Sequence, residues 1–324
     1  MKEIKIVQGY KPDLREESDN IYGSGATPDP VINPSGNWRE YLPLPEIQNR
    51  GFETFGCVSF TELNALEALA RLAFSENWNK AERFTYIASE TDPLNGGNSP
   101  KKVADSIRNK GVVDEEILPF NNSIDSIDKF NSPKPLPKSL INEANKFLDS
   151  FEFRYDFLPD NPSREVLREA LKRSPLLIAV DGWHFDGERF IRLNNLDNHA
   201  TLLQEVRDNG ELVVFDSYEP TIKILSKDFT IISAMRFYLR KKTEEEKRKE
   251  LSNSLSFLES ILNWLSFLLK KKEVVKENPP IIDSVPIESL PKDEPSQSEN
   301  SEAIWRIDNL NKFCKAVQEY EGWW

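Results

Sequence analysis

The hydrophobic pattern of the chain is helical in its first half and strand-like in its second half. From Ser59 onward, hydrophobic residues recur every three to four positions, which is the spacing of one face of an amphipathic helix. That face comprises Phe60, Leu63, Leu66, Leu69 and Ala73. Further helices are predicted at 99–111, 139–149 and 161–175, where start and stop residues bound the periodic stretches.

After residue 175, short hydrophobic runs alternate with turn residues, as expected for strands. The runs are 176–180, 189–193, 200–206, 211–217 and 222–225, with 234–239 as a further candidate. Helices followed by an antiparallel set of strands predict an α+β fold with two lobes over residues 1–241. Residues 1–50 are rich in Gly, Pro, Asn and Asp, and they predict an extended lead-in that wraps around this domain rather than packing into it.

Residues 243–272 predict one long helix, with acidic residues at its start and lysines at its end that complement the helix macrodipole. A heptad seam runs along it through Leu251, Leu255, Leu258, Leu262, Leu265 and Leu269. Such a seam indicates a bundle or oligomerisation helix, so self-association through this segment is predicted. Glu259 and Asn263 interrupt its apolar run, which disfavours a membrane span and leaves an interfacial helix as an alternative.

The last two segments have a different composition. Residues 273–303 hold five prolines among Ser, Glu, Asp and Asn, which predicts a disordered or extended linker. Residues 304–324 predict a short helix that is too small to fold alone. This helix ends on two tryptophans, as though a longer domain were cut there.

Composition and charge exclude several classes of function. The 324 residues include 42 basic and 54 acidic side chains, a formal net charge of −12, which disfavours a nucleic-acid partner. The chain lacks a glycine-rich phosphate loop, so no nucleotide cofactor is predicted. The start lacks a signal-peptide hydrophobic stretch, and Cys57 and Cys314 form no disulfide framework, so a cytoplasmic location fits. His184 and His199 have no partners at zinc-binding spacing, so no metal is predicted.

Cys57 is the first candidate for chemistry, because it stands where the helix that begins near Val58 would stabilise a thiolate. The alternative is a buried, inert cysteine that packs as a small hydrophobic residue. A cysteine hydrolase also requires an imidazole that carries the proton and a third group that orients the imidazole.

His199 opens a strand-like run after a loop, where an imidazole can face a cleft. Asp216 ends an apolar run 17 residues later, and a hairpin of the two strands would bring the carboxylate to the imidazole. The alternatives are a structural hydrogen bond for the histidine and a turn cap for the aspartate. His184, between Trp183 and Phe185, is predicted to be a loop or hairpin residue.

A series of motifs in the same order resembles the papain-like cysteine peptidases. His199 follows Cys57 by 142 residues, within the roughly 130–150 of papain-type enzymes. Residues 45–60 resemble the family's loop around the nucleophile, Asn95-Gly96-Gly97 its cleft-lining turn, and FDSYEP stands where the family has Asn-Ser-Trp-Gly. Residues 103–120 and 167–181 resemble its following helix and the unit that begins the β lobe. The stretch GYKPDLREESDNIYG resembles the start of propeptide-poor bacterial and viral members.

The resemblance implies a papain-like fold and a thiol protease that cleaves a peptide or protein substrate without a cofactor. Cys57, His199 and Asp216 would form its catalytic triad, with Asp216 in place of the family's asparagine. Gly96 and Gly97 would pair with the substrate backbone.

The loop before Cys57 departs from the family pattern. The family's oxyanion glutamine stands directly before a glycine, whereas here Arg50 precedes Gly51 and Gln48 lies two residues further upstream. Either Gln48 or Arg50 is therefore predicted to complete the oxyanion hole with the Cys57 backbone N–H.

A second resemblance concerns LNKFCKAVQEYEGWW, residues 310–324, which is similar to the first helix of phage-type lysozyme-like domains. It would make Glu321 a general acid in a longer protein and Cys314 a core residue. Together with helix 243–272 it implies a phage or mobile-element protein, cytoplasmic or virion-associated. Two alternatives to the peptidase are a non-catalytic papain-fold structural or binding module and a peptidoglycan amide hydrolase.

Overall fold

The structure, a computed structural model, describes residues 9–23, 30–94, 96–194 and 196–277. Its helices are α1 (Cys57–Phe74), α2 (Glu82–Ala88), α3 (Pro100–Lys110), α4 (Ile127–Phe130), α5 (Lys138–Ser150), α6 (Arg164–Leu171) and α7 (Glu244–Glu277), with a 3-10 turn at Arg39–Tyr41. Its strands are β1 (Phe151–Phe157), β2 (Leu176–Val180), β3 (His184–Phe185), β4 (Phe190–Ile191), β5 (His199–Val206), β6 (Leu212–Phe215), β7 (Ile222–Leu225) and β8 (Ala234–Lys241). Helices precede most of the strands, so the predicted α+β class is confirmed.

Helix α1 is the central helix of the domain. Its residues from Cys57 to Ala70 are all buried, because it packs against β5 and β8 on one side and against α2 and α3 on the other. The sequence supports this position, since leucine and alanine fill the segment and both favour helix. The helix ends at Ser75, which adopts a left-handed conformation and donates its N–H to the carbonyl of Arg71.

The strands form one sheet in the order β1-β8-β2-β5-β6-β7-β4-β3, antiparallel except for the β4–β7 pair. Strand β1 pairs with β8 along its whole length. The sequence analysis left β1 unassigned, although Phe153, Tyr155 and Phe157 alternate with charged residues and are buried on one face. Helix α2 was also unassigned, because its seven buried residues are too few to show a helical period.

Two hydrophobic clusters fill the domain. The larger lies between α1 and the sheet, and the smaller is built from aromatic residues of the helical part, among them Phe60, Phe84 and Phe130. The described stretch 30–50 contributes to the core, which the sequence did not predict, because Trp38 is fully buried and its Nε1 donates to the carbonyl of Leu171. This described part of the lead-in therefore packs into the domain.

The chain divides into two units after Ser256. Helix α7 begins in the first unit and includes this division point. Thr243 and Glu246 form a capping box at its start, each side chain bonding the other's backbone N–H. Seam residues Leu251, Leu255 and Leu262 are exposed, and self-association through this helix stays a prediction.

Among the described helices, none has the length and hydrophobicity that crossing a bilayer requires. The predicted linker beyond Glu277, the predicted helix 304–324, Cys314 and Glu321 lie outside the described residues.

Candidate active site

Cys57 is the first residue of α1 and is completely buried. The N-cap residue Gly56 offers no side chain to the helix, so the first backbone N–H groups of α1 stand around the cysteine without a side-chain cap. These N–H groups and the helix dipole place partial positive charge next to the sulfur.

His199 and Asp216 are brought together by the pairing of β5 with β6. His199 is the first residue of β5, Asp216 follows β6 directly, and Leu202 lies opposite Phe215 in the ladder. The His199 Nε2 and Asp216 Oδ1 atoms are 2.6 Å apart, and both side chains are fully buried. This bond uses Nε2 and leaves the other ring nitrogen, Nδ1, for another partner. Nδ1 is buried, and within the described part of the chain it has no hydrogen-bond partner.

The electrostatics of this pair favour ionised forms of both groups. Burial lowers the pKa of His199, but the charge and hydrogen bond of Asp216 and the nearby Cys57 thiol outweigh it and raise the pKa to about 10. Burial raises the pKa of Asp216, but His199 and Lys223 outweigh it and lower the pKa to about 2. An imidazolium beside Cys57 is therefore stabilised, as a thiolate–imidazolium pair requires.

Lys223 is a member of the site that the sequence analysis missed. Its Nζ lies 2.6 Å from Asp216 Oδ2 and also donates to the carbonyls of Tyr218 and Pro220. Both partners of the Lys223–Asp216 pair are fully buried. A signal existed: in β7, Lys223 occupies the same inward face as Leu225, where a lone lysine must have an acidic or carbonyl partner.

Two aromatic side chains enclose the imidazole. The rings of Trp183 and Tyr218 lie edge-on to His199, with centroids 5.6 Å and 5.2 Å away. Both aromatic residues are buried, so they keep water from the His199–Asp216 hydrogen bond. His184 lies apart from this pair in sequence, in the short strand β3.

Gln48 is buried beside the loop that carries Asp216. Its backbone N–H donates to the Ser217 carbonyl, and its side-chain oxygen accepts from the Ser217 hydroxyl at 2.6 Å. Its side-chain nitrogen donates to Glu53 Oε1 at 2.7 Å and to the Tyr218 hydroxyl at 2.8 Å. The Tyr218 hydroxyl donates to Glu53 Oε2, so the Glu53 carboxylate accepts from both Gln48 and Tyr218. The sequence analysis missed Glu53, which has no spacing signal that sets it apart from other loop glutamates.

The side chain of Arg50 lies beside Phe120. Its guanidinium donates to the Phe120 carbonyl at 2.8 Å and lies over the Phe120 ring at 5.0 Å. Of the two predicted oxyanion donors, Gln48 is therefore the one whose side chain reaches the surroundings of the His199–Asp216 pair.

The structure describes Gly96 and Gly97 of the Asn-Gly-Gly turn. Gly96 and Gly97 both have positive φ, which favours glycine at both positions. The backbone N–H and carbonyl of Gly97 are both bonded to Asp92, so they close the turn. The next residue, Asn98, pairs with residues 9 and 11. Its N–H donates to the Gly9 carbonyl, and its carbonyl accepts from the Lys11 N–H.

The chain's own residues 9–11 lie across the candidate nucleophile. The N–H groups of Gly9 and Tyr10 both donate to the carbonyl of Asn198, the residue before His199. A Cβ atom added to Gly9 would lie 3.0 Å from Cys57 Sγ, so the backbone of Gly9 is in contact with the thiol. We call residues 9–11 the cleft segment.

Solved structures share this arrangement of helices and sheet. The chain is similar to the digestive procathepsin L2 proteinase from Tenebrio molitor larval midgut, with 12% identity, a TM-score of 0.51, and coverage of 71% of this chain and 77% of that one. The fold is papain-like.

Two further solved cysteine proteases match this papain-like domain. The bromelain protease from Ananas comosus, in complex with the E64 inhibitor, is 18% identical with a TM-score of 0.47, over 63% of this chain and 98% of that one. The Clostridial cysteine protease Cwp84 is 14% identical with a TM-score of 0.48, over 63% of this chain and 57% of that one. No protein-family model and no curated protein sequence matches the chain.

Proposed function

We propose that the chain is a cysteine peptidase in which Cys57 is the nucleophile, His199 carries the proton and Asp216 orients His199. The observation that carries this proposal is the buried 2.6 Å hydrogen bond between His199 and Asp216, beside a cysteine at a helix N-terminus. The papain-like fold supports the same assignment.

In the proposed reaction, the Cys57 thiolate attacks the carbonyl carbon of the scissile peptide bond. The His199 imidazolium gives its proton to the departing amine, and the acyl group remains on sulfur as a thioester. Neutral His199 then takes a proton from water, which hydrolyses the thioester and releases the acid. Asp216 holds the imidazole in one tautomer and stabilises its charged form.

The negative charge on the attacked carbonyl oxygen needs donors. The Cys57 backbone N–H and the Gln48 amide are the proposed pair. Both amide hydrogens of Gln48 are bonded to Glu53 and Tyr218, so the oxyanion has to replace one of these partners. The Tyr218 hydroxyl is the replaceable one, because it keeps its own bond to Glu53 when Gln48 turns away.

The contacts of the cleft segment are evidence for a polypeptide as the substrate class. The segment is bound through main-chain hydrogen bonds to Asn98 on one side and Asn198 on the other, a mode that any extended peptide can use. The groove over Cys57 therefore has the donors and acceptors that an extended peptide requires.

A thiol-directed epoxide probe tests the proposal. We expect one adduct at Cys57 in the native chain and none at position 57 in Cys57→Ala, with Cys314 as the internal comparison within the same molecule. The same experiment is run on a chain that lacks residues 1–11, together with turnover of a peptide library. If neither form is labelled selectively or cleaves any peptide, the enzyme assignment is wrong.

That outcome would favour a second candidate, a non-catalytic papain-fold binding module. The observation behind it is that the cleft segment fills the groove while both amide hydrogens of Gln48 are bonded within the protein.

Removing residues 1–11 is expected to raise the rate of Cys57 alkylation by iodoacetamide at least tenfold. The segment makes several main-chain hydrogen bonds over the thiol, each with a net value of about 0.5–1.5 kcal/mol, and about 1.4 kcal/mol corresponds to tenfold. Tyr10 is buried, so the thermal midpoint of the shortened chain is measured alongside. An unchanged rate in a chain that remains folded would contradict the prediction.

A further inference from the structure

Three glutamates from separate segments face one another outside the triad. Glu46 lies in the loop before Gln48, Glu82 is the first residue of α2, and Glu115 lies in the turn region after α3. One carboxylate oxygen of each lies within 4.8 Å of those of the other two. We call these three residues the glutamate cluster.

One oxygen of each carboxylate in this cluster is buried without a hydrogen-bond partner, whereas Oε1 of Glu115 accepts from the Phe120 N–H. Glu82 is only 2% exposed, and its Oε2 has no hydrogen bond. One oxygen each of Glu46 and Glu115 is likewise buried and unbonded. Native proteins rarely leave such atoms unsatisfied, because an unpaired buried carboxylate is costly. Three of them pointing into one space call for a positive charge or for protons.

The charges of Arg50 and Arg83 act on Glu115, but within the described residues neither guanidinium bonds to a carboxylate of the cluster. The Arg83 guanidinium donates to four backbone carbonyls, those of Pro119, Lys129, Phe130 and Ser132. Arg50 is bonded to the Phe120 carbonyl, and Lys80 pairs with Asp114. Within the described ranges, no ion pair involves a member of the glutamate cluster.

We propose that Glu46, Glu82 and Glu115 bind a calcium ion. Two oxygens that each lie about 2.4 Å from one Ca²⁺ can be at most about 4.8 Å apart, so the spacing of the cluster fits an ion held by all three. The donor set consists of carboxylates with no sulfur or imidazole, which favours a hard, oxygen-preferring ion over zinc or copper. Ca²⁺ tolerates irregular coordination completed by water, whereas Mg²⁺ demands a regular octahedron.

The ion would join the loop before Cys57 to the helical lobe. Glu46 stands two residues before Gln48, so an ion shared with Glu82 fixes the approach of this loop to α2. The inference concerns stability and does not depend on the proposed peptidase activity.

Thermal unfolding of metal-free protein with added CaCl₂ tests the site. At a hundredfold excess of Ca²⁺ over its Kd, we expect the thermal midpoint to rise by about 5 °C or more. Isothermal titration should show one site, and MgCl₂ at equal concentration should give a smaller shift. Glu82→Gln and Glu46→Gln should each weaken Ca²⁺ binding at least tenfold.

Glu116→Gln is the matched control, since Glu116 is the exposed neighbour of Glu115 and loses the same charge. It should keep the full Ca²⁺ response. The proposal is overturned if Ca²⁺ leaves the wild-type midpoint unchanged, which would indicate carboxylates that share protons instead. An equal Ca²⁺ response in wild type, Glu82→Gln and Glu46→Gln would also overturn it, because the ion would then bind elsewhere.

Discussion

His199→Ala is expected to lower kcat/KM for a peptide substrate by about 10³-fold or more, because in the proposed mechanism the variant has no group to carry the proton between Cys57 and the leaving amine. The other histidine of the chain provides the control. His184→Ala removes the same side chain from the short strand β3 and should leave kcat/KM within about twofold of wild type. A comparable loss in both variants would show that the effect is structural.

His199→Ala should also change how the free energy of unfolding depends on pH. The pKa of His199 is raised from 6.5 to about 10, so the charged imidazole contributes stability that is fully present below pH 6.5 and is lost as the pH rises toward 10. The free energy of unfolding of wild type should therefore fall across this range more steeply than that of His199→Ala. Parallel curves for the two proteins would contradict the raised pKa.

Lys223→Met is expected to destabilise the protein by about 3–5 kcal/mol, because it leaves the Asp216 carboxylate without its lysine partner in a fully buried site. Denaturant unfolding near pH 7 measures the change. Lys227→Met is the matched control: Lys227 is exposed just beyond β7, and its replacement should change stability by about 0.5 kcal/mol or less.

A double variant separates the ion pair from simple packing. Asp216→Asn combined with Lys223→Met removes both charges, and neutral partners of similar shape cost little when both members of a buried pair are replaced. The double variant should therefore recover most of the stability that Lys223→Met loses. If the double variant is as unstable as the single one, lost packing rather than an unpaired charge explains the effect.

The three residues of the proposed triad could be anticipated from local signals, whereas the residues that support them could not. A cysteine at a helix start, a histidine at a strand start and an aspartate at the next strand end are each readable from short stretches. Lys223 and Glu53 act through partners far away in sequence or across a turn, and only the folded chain shows which acid a given lysine meets. Strand β1 carried an alternation that was readable, but the preceding helical period masked it.

The cleft segment was unpredictable for a different reason. Residues 9–11 bind through their backbone, so the identities of their side chains do not predict the contact with Asn98 and Asn198. The packing of Trp38 escaped prediction because surrounding glycines and prolines indicated an exposed lead-in, and a single buried aromatic residue has no period.

The close approach of Gly97 to Gly9 depends on the absence of a side chain at position 97. A Cβ atom at position 97 would lie 2.0 Å from the carbonyl oxygen of Gly9, far inside any allowed contact. A methyl group at position 97 would therefore clash with Gly9 of the cleft segment in its present position. One carbon atom in the Asn-Gly-Gly turn could thus hold the groove open in a chain of unchanged length.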